Sequence, residues 1–206
     1  MILEKGMLYH IYNQENNKQN IFFSKENYYF FLKKMKEHIT PYADFIAWCL
    51  MPNHFHWMVE IKELELPVSL GFTLSEALTK VPNEALTKTR TLNDSIGILL
   101  RSYTRAINIQ EKFSGSLFRK ETKAICLNDN DILSPNYYNT EFGTEINLKS
   151  AEINYPNICF NYILQNPVKA GFVTKEEDWG FSSRSNLELI NVDRLKELGM
   201  IYSGLH

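Results

Sequence analysis

Two histidines in a strand-like run place the tightest constraint on how this chain can fold. His54 and His56 stand two positions apart within residues 49–60, a stretch rich in apolar and aromatic residues. Side chains at positions i and i+2 of a strand share one face, so both imidazoles project together while Phe55 points into the core. Neutral imidazole is the commonest protein metal ligand, so a divalent metal could lie across the pair. The alternative is that one or both histidines only cap a strand edge.

The periodicity of the surrounding chain predicts the fold class. In chain order we expect a strand over 7–13, a helix from Ser24 to about Ile39, strands over 44–50 and 54–61, a helix capped by Asp94 or Ser95, and a strand over 115–126. This order is that of ferredoxin-like folds. It predicts an α+β protein with an antiparallel sheet and helices packed on one face.

A further helix is predicted near the end of the chain. Pro156 suits its first turn, and Pro167 is expected to end it. Tyr162 and Asn166 are four residues apart, so a phenol oxygen and a carboxamide oxygen could reach one point in space. The alternatives are that Tyr162 is an amphipathic core aromatic and that Asn166 is a polar residue at a helix end.

Length and composition favour a single domain over residues 1–206. The chain is 44% apolar and 13% aromatic, enough for a packed core. No run approaches the roughly 20 apolar residues of a membrane span, and the first residues lack a secretory pattern, so we expect a cytoplasmic protein without a membrane partner. Three widely spaced cysteines suit reduced thiols. A zinc site that joins Cys49 or Cys126 to the histidines is an alternative without a Cys-x-x-Cys pair to support it.

Charge is spread unevenly along the chain. The net charge is −2, but residues 99–126 are basic and residues 127–160 are acidic. Arg101 and Arg105 fall off the apolar stripe of their helix, toward solvent or a ligand. A mildly acidic protein can still bind DNA through one basic face. An ordinary solvated helix and hairpin is the alternative.

Taken together, these segments resemble the HUH single-tyrosine transposases, in particular the REP-associated tyrosine transposases. The stretches that carry the resemblance are Tyr-His-Ile-Tyr-Asn (9–13) with residues 16–23, Met-Pro-Asn-His-Phe-His (51–56), Gly-Ser-Leu-Phe-Arg-Lys-Glu-Thr-Lys-Ala (115–124), and residues 162–173 with 179–183. The resemblance covers roughly residues 6–61, 95–126 and 155–185. Residues 62–93 and 128–155 are expected to be insertions relative to the family.

The resemblance implies a chemistry. Family members cut and rejoin single-stranded DNA through a covalent 5'-phosphotyrosine while a 3'-hydroxyl leaves. By their match to the family, His54 and His56 bind a metal, Asn166 completes the metal site, and Tyr162 is the nucleophile. The metal would be Mg²⁺ or Mn²⁺, and two imidazoles favour Mn²⁺. Single-stranded or hairpin DNA would contact Arg101, Arg105, Phe118, Arg119, Lys120, Lys123 and Lys169, with base stacking on Phe118 or Trp57.

The chain departs from the family at Gln14 and Glu15 and in the basic strand, where Phe118-Arg119-Lys120 stands for an aromatic-Gln-Arg-type pattern and keeps the charge, and several functions stay open. Gln14 and Glu15 stand where the family often has Arg-Gly, which removes a positive charge near the expected DNA path. One alternative is a domesticated module that binds single-stranded DNA or RNA without cutting it. Another is a small metal hydrolase that activates water. Tyr162 could serve its own chain's metal site or, in a homodimer, that of a partner.

Overall fold

A four-stranded antiparallel sheet forms the centre of the protein. The computed structural model describes residues 1–16, 19–69, 87–128, 137–140, 143–146, 151–200 and 202. The elements are β1 (Leu8–Gln14), α1 (Lys25–His38), β2 (Ala43–Met51), β3 (His54–Ile61), β4 (Glu65–Ser69), β5 (Thr87–Thr91), α2 (Leu92–Glu111), β6 (Lys123–Cys126), β7 (Tyr137–Thr140), β8 (Gly143–Ile146), α3 (Ala151–Lys169) and α4 (Val192–Glu197).

The central sheet has the strand order β2-β3-β1-β6, and every neighbouring pair is antiparallel. The first and third strands of the chain are therefore neighbours, and β6 is paired to the free side of β1. This is the ferredoxin-like arrangement, so the predicted α+β class and antiparallel sheet are confirmed.

One face of the sheet is covered by α1 and α2, as the sequence predicted. Phe31 of α1 lies 5.5 Å from Phe55 of β3 and 4.9 Å from Tyr103 of α2, measured between ring centroids. All three side chains are fully buried. Because Phe55 stands between His54 and His56, this aromatic core fixes which face of β3 the histidines occupy.

The two core helices begin at hydrogen-bonded caps. Ser24 precedes α1, and its backbone N–H donates to Oδ1 of Asn27 at 3.2 Å. Helix α2 begins at Leu92, earlier than the predicted cap at Asp94 or Ser95. Thr91 is the cap, because its side chain accepts from the backbone N–H of Asp94 at 3.0 Å while the Asp94 carboxylate accepts from the Thr91 backbone N–H at 3.2 Å.

The strand predicted over residues 115–126 is shorter in the structure. Only Lys123–Cys126 pairs continuously with β1, while Phe118 makes an isolated bridge to Glu15. Gly115 has a φ of +89°, a left-handed conformation that interrupts an extended strand. The segment before β6 is consequently an irregular loop along the end of β1.

Helix α3 packs on the other face of the sheet, against β2 and β3. The predicted boundaries of this helix were wrong at both ends, because Pro156 and Pro167 both lie inside it. The helix ends at Lys169, and Gly171, which has a φ of +73°, follows it in the left-handed conformation. The Phe172 N–H donates to the carbonyl of Pro167 and the Gly171 N–H to that of Val168, both at 3.0 Å, which is the Schellman arrangement for closing a helix.

The chain after α3 returns along the edge of β2. The Leu50 N–H donates to the Phe181 carbonyl at 2.9 Å, and the Ser183 N–H donates to the Trp48 carbonyl at 2.8 Å. Helix α4 is joined to β3 by Arg194, whose guanidinium contacts both carboxylate oxygens of Glu60 at 2.5 and 2.7 Å. The C-terminal segment thus fastens the edge of the sheet that β6 does not occupy.

Two short antiparallel ribbons lie outside the four-stranded sheet. One pairs β4 with β5, and the other pairs β7 with β8. They fall in the segments that we expected to be insertions, of which residues 70–86, 129–136, 141–142 and 147–150 lie outside the described residues. Within the described part of the chain, no helix combines the length and apolar character needed to span a membrane.

Candidate active site

The two histidines of β3 share the sheet face that α3 covers. Tyr12 of β1 is the register partner of His56, and Gln14 is the partner of His54. The ring centroids of His54 and His56 are 4.9 Å apart, and His56 is buried. Strand parity therefore placed the pair correctly, with Phe55 in the core on the opposite face.

Helix α3 brings Asn166 to the histidine pair. The Asn166 Oδ1 atom lies 3.2 Å from Nε2 of His54, and its Nδ2 atom lies 3.4 Å from Nε2 of His56. The amide thus bridges the two ring nitrogens that face away from the strand backbone. Asn166 is itself buried, which removes competing water from this junction.

Tyr162 lies one turn before Asn166 and closes the other side of the site. Its ring centroid is 5.4 Å from that of His56, in an edge-to-face arrangement. Burial raises the pKa of the Tyr162 phenol, while a hydrogen bond with Asn166 acts in the opposite direction. The ammonium group of Lys169, an exposed residue, lies 5.7 Å from the Tyr162 ring centroid. The phenol and the histidine pair therefore share one small volume.

The hydrogen-bond partners of His54 favour a cation at the junction. Its Nδ1 atom lies 2.7 Å from Oδ1 of Asn53, and its Nε2 atom faces Oδ1 of Asn166. Amide oxygens only accept hydrogen bonds, so both ring nitrogens face acceptors. A neutral imidazole has one proton to give, so when Nδ1 donates to Asn53, Nε2 keeps a lone pair with which it could bind a metal ion.

A divalent metal fits the spacing of these donors. Ligands about 2.1 Å from an octahedral ion and in neighbouring positions lie about 3 Å from each other. The separation of 3.2 Å between the Asn166 oxygen and Nε2 of His54 is close to that value. His54 Nε2, His56 Nε2 and the Asn166 carboxamide are therefore the groups that could hold Mg²⁺ or Mn²⁺.

Two residues that the sequence patterns did not single out complete the site. His10 Nε2 lies 2.9 Å from Nδ1 of His56, and the Tyr12 ring lies 5.8 Å from the His56 ring. Burial lowers the pKa of His10 to about 3. Burial, followed by the neighbouring His54 and His10, lowers the pKa of His56 well below its ordinary value. Both residues could have been found from spacing, because His10 and Tyr12 are two residues apart in β1, as His54 and His56 are in β3, and so lie on one face of the sheet.

The zinc alternative finds no support in the described residues. Among them, no group of three or more His, Cys, Asp or Glu side chains is arranged to hold a metal ion. Cys126 has Tyr9 as its register partner and therefore lies on the face opposite His56. Cys49 is the register partner of His56 and shares its face, but it belongs to no such group among the described residues. The donor set at the histidine pair instead depends on an amide.

The basic residues from the second half of the domain line an open groove at the sheet edge. The groove has a volume of about 1180 Å³ and runs between α2 and residues 115–124. Its basic lining residues are Arg101, Arg105, Arg119, Lys120 and Lys123. Lys123 is the register partner of Tyr12, so one end of the groove adjoins the strand next to the histidines. Lys169 is separate from this group and lies beside Tyr162.

The expectation that Phe118 or Trp57 stacks on DNA bases was wrong for this structure. Phe118 is 4% exposed and packs 6.0 Å from Phe55, while Trp57 is fully buried. Neither ring has a free face. Phe113 is 43% exposed and lines the groove instead. Its position just after α2 gave no periodic signal in the sequence.

Comparison with known proteins places the fold. No protein-family model matches the chain, and no curated protein matches it. Among solved structures, it is similar to a REP-associated tyrosine transposase bound to a REP hairpin, with a TM-score of 0.51 and 14% sequence identity. The match covers 94% of this chain and 87% of that chain. The protein therefore has the fold of this class of tyrosine transposase.

Proposed function

We propose that this protein is a metal-dependent enzyme that cleaves and rejoins single-stranded or hairpin DNA through a phosphotyrosine at Tyr162. The observation that carries the proposal is the convergence of His54, His56 and Asn166 beside a phenol from the same helix as Asn166. The structural similarity to a transposase bound to a DNA hairpin supports the same class of partner.

The proposed reaction conserves the number of phosphoester bonds. The Tyr162 oxygen attacks the scissile phosphorus, a new P–O bond forms to the phenol, and the P–O bond to the 3'-oxygen breaks. The phenol loses its proton, and the leaving oxygen gains one to become a 3'-hydroxyl. A second 3'-hydroxyl reverses these steps and releases Tyr162. No nucleotide hydrolysis is needed, because the phosphotyrosine keeps the ester bond.

The chain's own groups prepare this attack. The hydrogen bond between Tyr162 and Asn166 orients the phenol toward the histidine pair. The positive charge of Lys169 beside the ring favours an anionic phosphate at this place. A divalent metal, when bound to the histidines and Asn166, would polarise the phosphate and offset charge in the transition state.

The basic groove supplies a path for the remainder of the DNA. Its arginines and lysines can neutralise backbone phosphates, and the exposed Phe113 ring can stack on an unpaired base. Lys123 pairs with Tyr12 of β1, the β-strand next to the histidines. A DNA strand that follows the groove would therefore reach the site without crossing the buried face of α3.

A denaturing gel tests the proposed function directly. The protein is incubated with end-labelled single-stranded or hairpin DNA and Mn²⁺, with EDTA as the control. We expect a covalent DNA–protein band that depends on Mn²⁺ and is lost after protease treatment. Binding without a covalent band would instead support a module that holds DNA or RNA, and free cleavage products without an adduct would support hydrolysis by activated water.

All of the groups of this site come from one chain. Tyr162 and the histidine pair lie in contact within a single molecule, which supports cleavage by the chain's own phenol. Exchange between partners in a homodimer is tested by mixing Tyr162→Phe and His56→Ala variants. Recovered adduct formation in the mixture would show that the two groups act across chains.

A further inference from the structure

We propose that His10 is a positioning residue that sets the tautomer of His56 and so turns the His56 Nε2 lone pair toward the metal position. This inference rests on the metal site of the proposed function. It concerns a residue of β1 that would not itself contact the metal.

The contact between the two rings is direct and protected from water. His10 Nε2 lies 2.9 Å from His56 Nδ1, and the two side chains are 3% and 6% exposed. One of these two nitrogens must donate and the other must accept. Between two neutral imidazoles, either ring can donate the hydrogen bond to the other. The hydrogen-bond partners of the two remaining ring nitrogens decide which ring donates.

The Asn166 amide decides the direction. Its Nδ2 atom, which can only donate, faces Nε2 of His56 at 3.4 Å. Nε2 of His56 must therefore carry a lone pair, and its proton must reside on Nδ1. That proton is donated to Nε2 of His10. The other nitrogen of His10 meets no hydrogen-bond partner among the described residues, so the direction is set at the Asn166 end of the chain of contacts.

The consequence is a metal ligand that is oriented before the metal arrives. A histidine ligand binds a metal through an unprotonated nitrogen, and its other N–H commonly donates to a neighbouring group that fixes the ring. Asn53 is the acceptor that fixes the ring of His54, since its Oδ1 lies 2.7 Å from His54 Nδ1. His10 is the corresponding acceptor for His56, but it accepts through an imidazole nitrogen and not through an oxygen.

The tautomer can be measured without metal or DNA. A long-range ¹H–¹⁵N correlation spectrum of the metal-free protein, assigned with a His56→Ala variant, distinguishes a protonated Nδ1 from a protonated Nε2. We expect His56 to carry its proton on Nδ1. An Nε2–H tautomer at His56 together with normal Mn²⁺ binding would overturn the role of His10 while leaving the metal site intact.

Substitutions at His10 test the effect on the metal. His10→Phe keeps a buried ring but removes the acceptor, and we expect Mn²⁺ affinity to fall about 10- to 100-fold, as for other partners of metal ligands. His10→Gln places a carboxamide oxygen near the former Nε2 position and should keep most of the affinity. His38→Phe and His38→Gln are the controls, because they make the same two exchanges at the last residue of α1, which packs on the opposite face of the sheet.

The Mn²⁺ affinities distinguish the positioning role of His10 from a role in packing alone, and from the absence of a metal site. A loss of packing would weaken both His10 variants, so equal affinity of His10→Phe and His10→Gln, whether high or low, would overturn the proposal. Absence of Mn²⁺ binding by the unmodified protein would overturn the metal site and this role with it.

Discussion

The Asn166 amide lies 3.2 Å from the imidazole of His54, although the two residues are 112 positions apart in the chain. Strand β3 supplies the histidines early in the sequence, and α3 supplies the amide near its end. The contact exists because α3 crosses the face of the sheet that the core helices leave open. A metal ligand set of this kind can be tested by exchanging the amide alone.

Asn166→Ala should weaken Mn²⁺ binding about 10-fold, because it removes one of three proposed donors. Asn166→Asp should bind Mn²⁺ at least as tightly as the original protein, since a carboxylate is a stronger ligand for this ion than an amide. Isothermal titration calorimetry measures both. Weak binding by the Asp variant would indicate that Asn166 acts through its N–H group and not as a ligand.

Tyr162→Phe should abolish the covalent DNA adduct and strand cleavage while leaving Mn²⁺ affinity and DNA binding nearly unchanged. The substitution removes only the phenol oxygen and keeps the ring against His56. Mass spectrometry of trapped adduct from the original protein should place the DNA on the peptide that contains Tyr162. Tyr29→Phe removes a phenol oxygen at an exposed position of α1, and this control should retain adduct formation. Full cleavage by the Tyr162 variant would contradict the assignment.

Arg101→Gln combined with Arg105→Gln should weaken DNA binding strongly at low salt and make it less dependent on salt. For single strands, the slope of log affinity against log salt should become shallower by about 0.7 for every phosphate that the variant no longer neutralises. Fluorescence anisotropy at several salt concentrations measures this slope. Lys33→Gln combined with Lys36→Gln removes two exposed charges from α1 outside the groove and should leave the slope unchanged.

Phe113→Leu should weaken binding of single-stranded DNA by roughly 1 kcal/mol, or about five-fold, because it removes a stacking surface but keeps an apolar side chain. Tyr29→Leu is the control, since Tyr29 is an exposed aromatic residue that does not line the groove. Duplex DNA, in which the bases are already stacked, should respond less than a single strand. An equal loss for single-stranded and duplex DNA would show that Phe113 does not contact bases.

Phe55→Ala should lower the free energy of unfolding by about 3–5 kcal/mol, since it opens a cavity in the aromatic core. The ring is fully buried, and its centroid lies 4.3 Å from that of Trp57 and 5.5 Å from that of Phe31. Ile109→Ala, at an exposed position of α2, should change the same quantity by no more than about 0.5 kcal/mol. Urea denaturation measures both, and a small effect at Phe55 would contradict the placement of β3.

The sequence predicted the sheet face of the histidines more accurately than the ends of the helices and of β6. Alternation fixes which face a residue occupies, so His54, His56 and Phe55 could be assigned from spacing alone. Helix boundaries depend on caps and on tolerance of proline, which is why Asp94 or Ser95 was expected as the cap in place of Thr91, and why Pro156 and Pro167 were expected at helix ends. The burial of Phe118 and the contact of His10 with His56 depend on packing between distant segments, which local periodicity does not encode.

The backbone hydrogen bonds of residues 181 and 183 to β2 have a consequence for how the protein behaves at high concentration. An open strand edge offers unpaired amide groups to any extended chain and favours fibrous aggregation. The C-terminal segment occupies these groups at Trp48 and Leu50, within one of the most apolar strands of the sheet. A chain truncated after α3 would expose that edge, so it should aggregate more readily than the full chain.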